Sequence, residues 1–289
     1  MDLQIVEFIQ TFRTGFFDLF FSLLTELGDE TVFIVVVGLV YWTISKSYGY
    51  RYAMIFLSSV VLNETLKDII ARPRPYTSPT VESVTPQTDG YAFPSGHAQN
   101  STIQAWLLHE RFGSLKRWVR PALITVVILV SFSRVYLGQH YLSDVIAGIA
   151  VASLLYGLYQ YLATKVSWTV PQTILYALPL LLVLLILFPE KNLVISVAGM
   201  IGGTIGYVLE QRYIQFDVKA SLPIQIIKFI LGIAITLGLQ EGLKLVLPYA
   251  NAGETLILVL DFIRYALLVM WVTLGAPATF KLLFQRKAA

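Results

Sequence analysis

Long apolar runs separated by short polar clusters dominate this chain. Read in order, the runs cover residues 3–27, 32–45, 52–71, 97–108, 119–133, 145–164, 174–188, 193–209, 222–247 and 256–276. A helix needs roughly 20 mostly apolar residues to cross a bilayer, so the pattern predicts about ten spanning helices. The run at 3–27 is the weakest, because Arg13 and Asp18 interrupt it and its first half suits the membrane interface as well as the interior. The run at 119–133 is the other weak one. No alternating strand pattern stands out, and the expectation is an all-α, polytopic membrane protein.

Composition narrows the class further. Of 289 residues, 56% are hydrophobic and 13% charged, against about 25% charged in soluble domains. No polar stretch is long enough for a separate soluble domain. Cysteine is absent, which excludes disulfides and thiolate metal sites. The first residues lack a basic region followed by an apolar run and a small-residue cleavage site, so no cleaved signal peptide is expected. The net charge of +3 is mild, and no nucleic-acid partner is expected. The distribution of cations is more informative. With the N-terminus placed in the cytoplasm, twelve basic residues fall in inside loops: Lys46, Arg51, Arg111, Lys116, Arg117, Arg120, Lys165, Arg212, Lys219, Lys281, Arg286 and Lys287. Five fall outside: Lys67, Arg72, Arg74, Arg134 and Lys191. That asymmetry agrees with the tendency of cytoplasmic loops to be positive.

Four of the five outside cations belong to two loops. The first loop follows Lys67 through Arg72-Pro73-Arg74-Pro75, where the prolines cannot continue a helix. It ends in Pro94-Ser95-Gly96-His97 at the start of the next helix. This places Ser95 and free backbone amides at a helix N-terminus, an end that favours anions. The second loop carries Arg134 and then His140 and Asp144. A spacing of four puts the last two on one face if the segment is helical. A carboxylate beside an imidazole can fix its tautomer and stabilise the imidazolium. Several cations around two imidazoles are what phosphoryl transfer requires, namely charge neutralisation around the phosphoryl oxygens, a nucleophile and a proton donor.

These segments resemble the type 2 phosphatidic acid phosphatase family. The match consists of Lys67, Arg74-Pro75, Pro94-Ser95-Gly96-His97, Ser133-Arg134, His140 and Asp144, in order and with intact spacing. It covers roughly residues 32–162. The resemblance implies that His140 attacks phosphorus, that Asp144 orients His140, and that His97 protonates the leaving oxygen and then activates water. It implies that Lys67, Arg74, Ser95, Gly96 and Arg134 hold the phosphate, with no metal and no cofactor. A six-helix phosphatase core over 1–167 followed by about four extra transmembrane helices over 168–289 is the expected organisation. The expected substrate is a lipid phosphate or pyrophosphate: polyprenyl pyrophosphate, phosphatidylglycerol phosphate or phosphatidate. The expected location is a bacterial cytoplasmic membrane, among its lipids, with the site on the non-cytoplasmic side. Lipid phosphotransfer with the same first half-reaction, and lipid transport or scrambling by the C-terminal helices, stay open as alternatives.

Other residues read more plainly. Arg72 divides evenly between headgroup contact and a role at the site. His109, beside Glu110 and Arg111, reads as structural. Ser133 divides between packing and a phosphate contact, while Tyr91, Phe93, Tyr136 and Tyr141 suit the membrane interface. In the last third, Gly199, Gly202, Gly203 and Gly206 form two small-xxx-small pairs. Packing within the chain is the favoured use of that stripe, and a homodimer interface is the alternative. The pairs Glu241 with Lys244 and Asp261 with Arg264 are spaced for local neutralisation at membrane depth.

Overall fold

The computed structural model describes residues 1–167, 169–249 and 252–285. Helices account for nearly all regular structure, and no strand occurs among the described residues. In chain order they are α1 (Asp2–Gln10), α2 (Gly15–Thr25), α3 (Glu30–Thr43), α4 (Lys46–Ile70), α5 (Gly96–Phe112), α6 (Val119–Tyr136), α7 (Leu142–Lys165), α8 (Val170–Leu187), α9 (Lys191–Leu209), α10 (Leu222–Val246), α11 (Glu254–Met270) and α12 (Ala276–Phe284). One-turn π-helical segments extend α9 over Glu210–Ile214 and join α11 to α12 over Trp271–Gly275.

The run expected at 3–27 is two helices. The chain breaks at Thr11–Thr14, and the Thr14 side chain accepts from Phe17 N–H to cap α2. Arg13 then pairs with Asp18 at 3.1 Å and with Glu82 at 2.7 Å. The two charges that interrupt the apolar run thus neutralise each other at the break.

Among the described residues, six segments are long and apolar enough to cross a membrane: α6, α7, α8, α9 with its π-turn, α10, and the continuous stretch Glu254–Phe284. Helix α3 is apolar but shorter. Helices α4 and α5 fall below that measure because they carry the polar side chains of the site and its supports. On α5, Gln99, Asn100, Ser101, Thr102 and Gln104 are all buried. Large apolar side chains on the outer surface, such as Leu175, Leu180, Ile186, Ile230 and Leu245, stay exposed. They form the surface that lipid covers in an integral membrane protein.

The chain divides into two compact units. The first comprises residues 1–33 and 62–166, and the second 34–61 and 167–289. Residues 34–61 group with the C-terminal helices. In the first unit, Val6, Val81, Ala98, Val135 and Val145 form a buried cluster that joins α1, α5, α6 and α7. In the second, α9 lies close against α11. A Cβ added to Gly202 would stand 2.1 Å from the Ala266 carbonyl, and one on Gly206 2.1 Å from Thr273 Oγ1. The small-residue stripe therefore serves close packing within the chain. Tyr41 and Trp42 are buried beside it and donate to the Thr273 and Val272 carbonyls of the π-turn, each at 2.9 Å. Arg264 donates to the Gln240 carbonyl at 3.0 and 2.8 Å, while Asp261 accepts from Tyr249 at 2.8 Å and lies 3.8 Å from Arg264. Glu241 and Lys244 are exposed.

Candidate active site

All the residues expected at the site belong to the first unit. Helix α4 ends at Ile70, with Ala71 in the left-handed region (φ 50°) ahead of Pro73 and Pro75. The chain then returns through a loop to a cis Phe93-Pro94 bond and Ser95, the residue before the first turn of α5. Between α6 and α7 the chain turns at Gly138 (φ 73°), where a Cβ would stand 2.5 Å from the Glu82 carbonyl. Only glycine adopts this conformation without cost and fits this space.

His140 lies in that turn, ahead of α7, and the two residues four apart do not share a helical face. The reason is local. Asp144 caps α7 by accepting from Tyr141 N–H at 2.8 Å, which starts the helix two residues after His140. His140 Nδ1 stands 2.8 Å from the Ala92 carbonyl and 3.7 Å from Asp144 Oδ2. His140 Nε2 stands 3.3 Å from Arg74 Nη1. An arginine can only donate, so Nε2 is the acceptor and the ring proton is on Nδ1, directed at Ala92. Both contacts select the same tautomer. Nε2 is left with its lone pair, the condition for a nucleophile. Burial, and then the positive charges of Arg134, Arg74 and Lys67, hold the His140 pKa well below the ordinary imidazole range. His97 contributes to the same field.

Arg74 is buried and held by the Gly90, Asp89 and Gln139 carbonyls at 3.0, 3.1 and 3.3 Å. Arg134 is buried too, with Nη1 donating to Thr25 Oγ1 at 3.0 Å and Nε without a protein partner. Ser95 Oγ is likewise buried and unpartnered. Buried polar groups are nearly always satisfied, so two such atoms in one expected phosphate cradle suit an anion that completes their bonding. Lys67 pairs with Glu64 at 2.8 Å. A Cβ on Gly96 would lie 3.8 Å from Lys67 Nζ, which places the ammonium beside that backbone. His97 follows in the first turn of α5.

Several neighbours were not assigned a site role from sequence. Arg72, read there as equally suited to headgroup contact, donates to Asp144 Oδ1 and Ser143 Oγ at 2.6 Å each and to Asp2 Oδ2 at 2.9 Å, and it covers the Tyr141 ring at 3.9 Å. Hydrogen bonds from Ser143 and then Arg72 hold the Asp2 carboxyl below its usual range. Asn63 donates to the Pro94 carbonyl at 3.3 Å and to Gln99 at 2.8 Å, fixing the loop ahead of Ser95. Its position one turn before Lys67 on α4 was the available signal. Gln139, fully buried, bonds Ser83, Thr85 and Thr88 and so fastens the long loop to the His140 turn. Thr25 and Asp2 come from distant parts of the chain and carried no signal. Ser133 donates to the Val130 carbonyl at 2.7 Å within its own helix. Tyr136 donates to Asp18 at 2.8 Å. Among the described residues, no group of three or more His, Asp or Glu side chains is placed to hold a metal ion.

Known proteins resemble this chain. A family model for the PAP2 superfamily matches residues 48–168, and one for the PAP2 superfamily phosphatase transmembrane extension matches 194–288. Phosphatidylglycerophosphatase B of Bacillus subtilis is 30% identical over 144 residues, covering 46% of this chain and 68% of that protein. Sphingosine-1-phosphate phosphatase 1 of Mus musculus is 32% identical over 144 residues, covering 47% of this chain and 32% of its own. Undecaprenyl-diphosphatase of Sulfolobus acidocaldarius is 33% identical over 133 residues, covering 45% and 63%. The crystal structure of a PAP2 type phosphatidylglycerolphosphate phosphatase from Bacillus subtilis has a TM-score of 0.49 at 25% identity, covering 57% of this chain and 86% of that one. The chain belongs to the PAP2 superfamily, the family its sequence motifs resemble. It is an integral membrane protein and carries the family's transmembrane extension, in the region where those motifs are silent. The match spans about a third of the length of the mouse relative.

Proposed function

We propose that this protein is a membrane-embedded lipid phosphatase that works through a phosphohistidine on His140. The observation that carries the reading is the tautomer of His140, with Nδ1–H on the Ala92 carbonyl and an unprotonated Nε2 among arginines. The names of the relatives, which act on sphingosine 1-phosphate, phosphatidylglycerophosphate and undecaprenyl diphosphate, support a lipid phosphate or pyrophosphate as substrate. The charge asymmetry supports a site on the non-cytoplasmic side.

In this mechanism the phosphoryl oxygens draw Arg74 away from Nε2 and complete the bonding of Arg134 Nε and Ser95 Oγ, with Lys67 and the Gly96 amide as further donors. Nε2 attacks phosphorus, and the bond to the leaving oxygen breaks. Burial, and then the charges of Arg134, Lys67 and Arg74, hold the His97 pKa well below the imidazole range in the free site. His97 therefore takes up its proton with the phosphate dianion bound and gives it to the leaving oxygen. The phosphorylated ring keeps its Nδ1 proton and is cationic, so the Ala92 carbonyl and the Asp144 carboxylate stabilise it. Neutral His97 then takes a proton from water, which attacks phosphorus and releases phosphate and free His140. The barrier falls through positioning and charge, as phosphoryl transfer allows.

The test is a panel of sphingosine 1-phosphate, phosphatidylglycerol phosphate and undecaprenyl diphosphate, assayed in detergent with wild type and His140→Ala. Wild type should release phosphate from at least one, acid quench of labelled substrate should trap phosphohistidine, and the variant should do neither. Undiminished release by the variant would remove His140 from the mechanism.

A further inference from the structure

The first unit contains a cleft of about 470 Å³ that none of the proposed catalytic residues lines. Its volume is in the range of small-ligand sites, about 300–1,000 Å³. On α5 the lining residues are Thr102, Ala105, Trp106 and His109, whose spacing of three and four makes one stripe along the helix. On α6 the stripe runs from Arg120 to Ile128, and Ile149 and Ser153 of α7 complete the lining. Helix α6 returns along α5 after a short loop. Arg120 and His109 therefore belong to one end of the cleft, and Thr102 and Ile128 to the other.

Most of the lining is apolar, and the polar groups along its length are already engaged. Thr102 donates to the Ala98 carbonyl at 2.6 Å within α5, and Trp106 Nε1 donates to Ser153 Oγ at 3.1 Å. The Trp106 ring also stacks on Tyr156 at 5.5 Å, with planes 8° apart, which fixes that wall. Charge is confined to one end. Arg120 is exposed and forms no ion pair among the described residues. His109, read from sequence as structural, stands at the same end with an imidazole that can donate. None of the described residues lining the cleft is acidic. Glu110, next in sequence, accepts from Tyr156 OH at 3.1 Å and Gln160 Nε2 at 3.3 Å, both on α7. Lys116 and Arg117, in the loop beside Arg120, are exposed and add to the positive end.

An apolar slot along two helices with a cation at one end suits a lipid in its bilayer orientation. The acyl chain runs parallel to the helices, and the headgroup meets the guanidinium, which arginine binds to phosphate through paired N–H donors. Arginine can lay its stem on apolar surface and keep its charge at the polar boundary. Basic pockets between helices at the membrane surface take anionic headgroups. His109 is twelve residues beyond His97 on α5, about 18 Å along the helix axis. A headgroup at Arg120 is therefore out of reach of the proposed catalytic residues, and the lipid held there is not a substrate in place to react. We propose that this cleft is a non-catalytic site for an anionic phospholipid, with one acyl chain in the slot and the phosphate at Arg120.

The experiment places the full chain in phosphatidylcholine nanodiscs that also contain a phospholipid with a diazirine on its acyl chain. Irradiation, digestion and mass spectrometry then map the labelled residues. Diazirine phosphatidylglycerol should label residues 102–109 and 120–128 about fivefold more than diazirine phosphatidylcholine, the preference one basic residue gives beside an anionic headgroup. Arg120→Gln, at an exposed position that does not threaten folding, should bring the two lipids to the same level. Ala105→Trp fills the slot and should suppress labelling of these segments by either lipid, with labelling of α8 as in wild type. Equal labelling by the two lipids in wild type, or unchanged phosphatidylglycerol labelling in a monodisperse Arg120→Gln protein, overturns the proposal. Stronger labelling by a free diazirine fatty acid than by phosphatidylglycerol overturns the assignment to a phospholipid.

Discussion

Asp144 and His140 are neighbours that do not share the imidazole proton. Asp144 Oδ2 is 3.7 Å from His140 Nδ1, while the Ala92 carbonyl is at 2.8 Å. The backbone therefore fixes the tautomer, and the carboxylate supplies negative charge beside the ring. Where a carboxylate itself fixes the tautomer, its neutral amide costs about 10⁴-fold in turnover. Here Asp144→Asn keeps the Ala92 contact, and kcat should fall only roughly 10- to 100-fold, the loss of one charge contact worth about 1.4–2.7 kcal/mol. A fall near 10⁴-fold in steady-state kinetics would assign the tautomer to Asp144.

Arg72 holds Asp144, Ser143 and Asp2 together. Arg72→Met leaves a fully buried carboxylate without its cation and releases α1. Loss of one partner of a buried pair costs about 3–5 kcal/mol. Arg72 is 28% exposed, and solvent lowers the expectation to roughly 2 kcal/mol. Thermal unfolding in detergent should show a drop of several degrees, with kcat reduced more than KM is changed. Asp2→Asn should cost less in both, since the Asp144 contact survives.

The pH dependence follows from His140. Its folded pKa lies well below that of a free imidazole, so the unfolded chain takes up a proton near pH 6.5 that the folded protein refuses. The stabilising contribution is complete above that pH and shrinks as pH falls below it. Melting temperature should decline below about pH 6.5, and His140→Gln should lessen that decline, the remainder being carried by His97, whose pKa burial also lowers. The acid limb of kcat/KM attributable to the nucleophile should lie below the same value. A wild-type acid limb centred above it, together with an undiminished decline of melting temperature in His140→Gln, would contradict a neutral, buried nucleophile.

Gly148 on α7 sets how closely that helix approaches the phosphate loop. A Cβ there would stand 2.6 Å from the Ser95 carbonyl and 3.2 Å from Gln99 N. Both partners are backbone, so the strain moves Ser95 and the start of α5. Gly148→Ala should destabilise by about 1–3 kcal/mol and reduce kcat/KM by more than an alanine at exposed Gly157, where nothing lies within 4 Å. Equal effects at the two positions would show that Ser95 placement does not depend on α7.

Much of the site was legible in sequence because its chemistry is carried by sparse polar residues against an apolar background. Lys67, Arg74, Ser95, Gly96, His97, Arg134, His140 and Asp144 stood out as charges and turn residues on one side of the predicted topology. What escaped were partners that close the site from far along the chain. Asp2, Thr25 and the Ala92 carbonyl meet Arg72, Arg134 and His140 only after the helices pack. A backbone carbonyl has no sequence signature at all.

The apolar runs by themselves determined an all-helical membrane chain, since backbone groups in a bilayer are satisfied only within helices or closed barrels, and continuous apolar runs of this length suit helices. Proline at 73 and 75 and glycine at 138 determined where helices stop and the chain turns, because φ is restricted at proline and free at glycine. Only the tertiary structure decided that 34–61 groups with the C-terminal helices, as close packing depends on shape rather than chain order. It also decided that a carbonyl, and not Asp144, receives the His140 proton. That choice is a matter of angstroms between elements, and the pattern along the chain does not carry it.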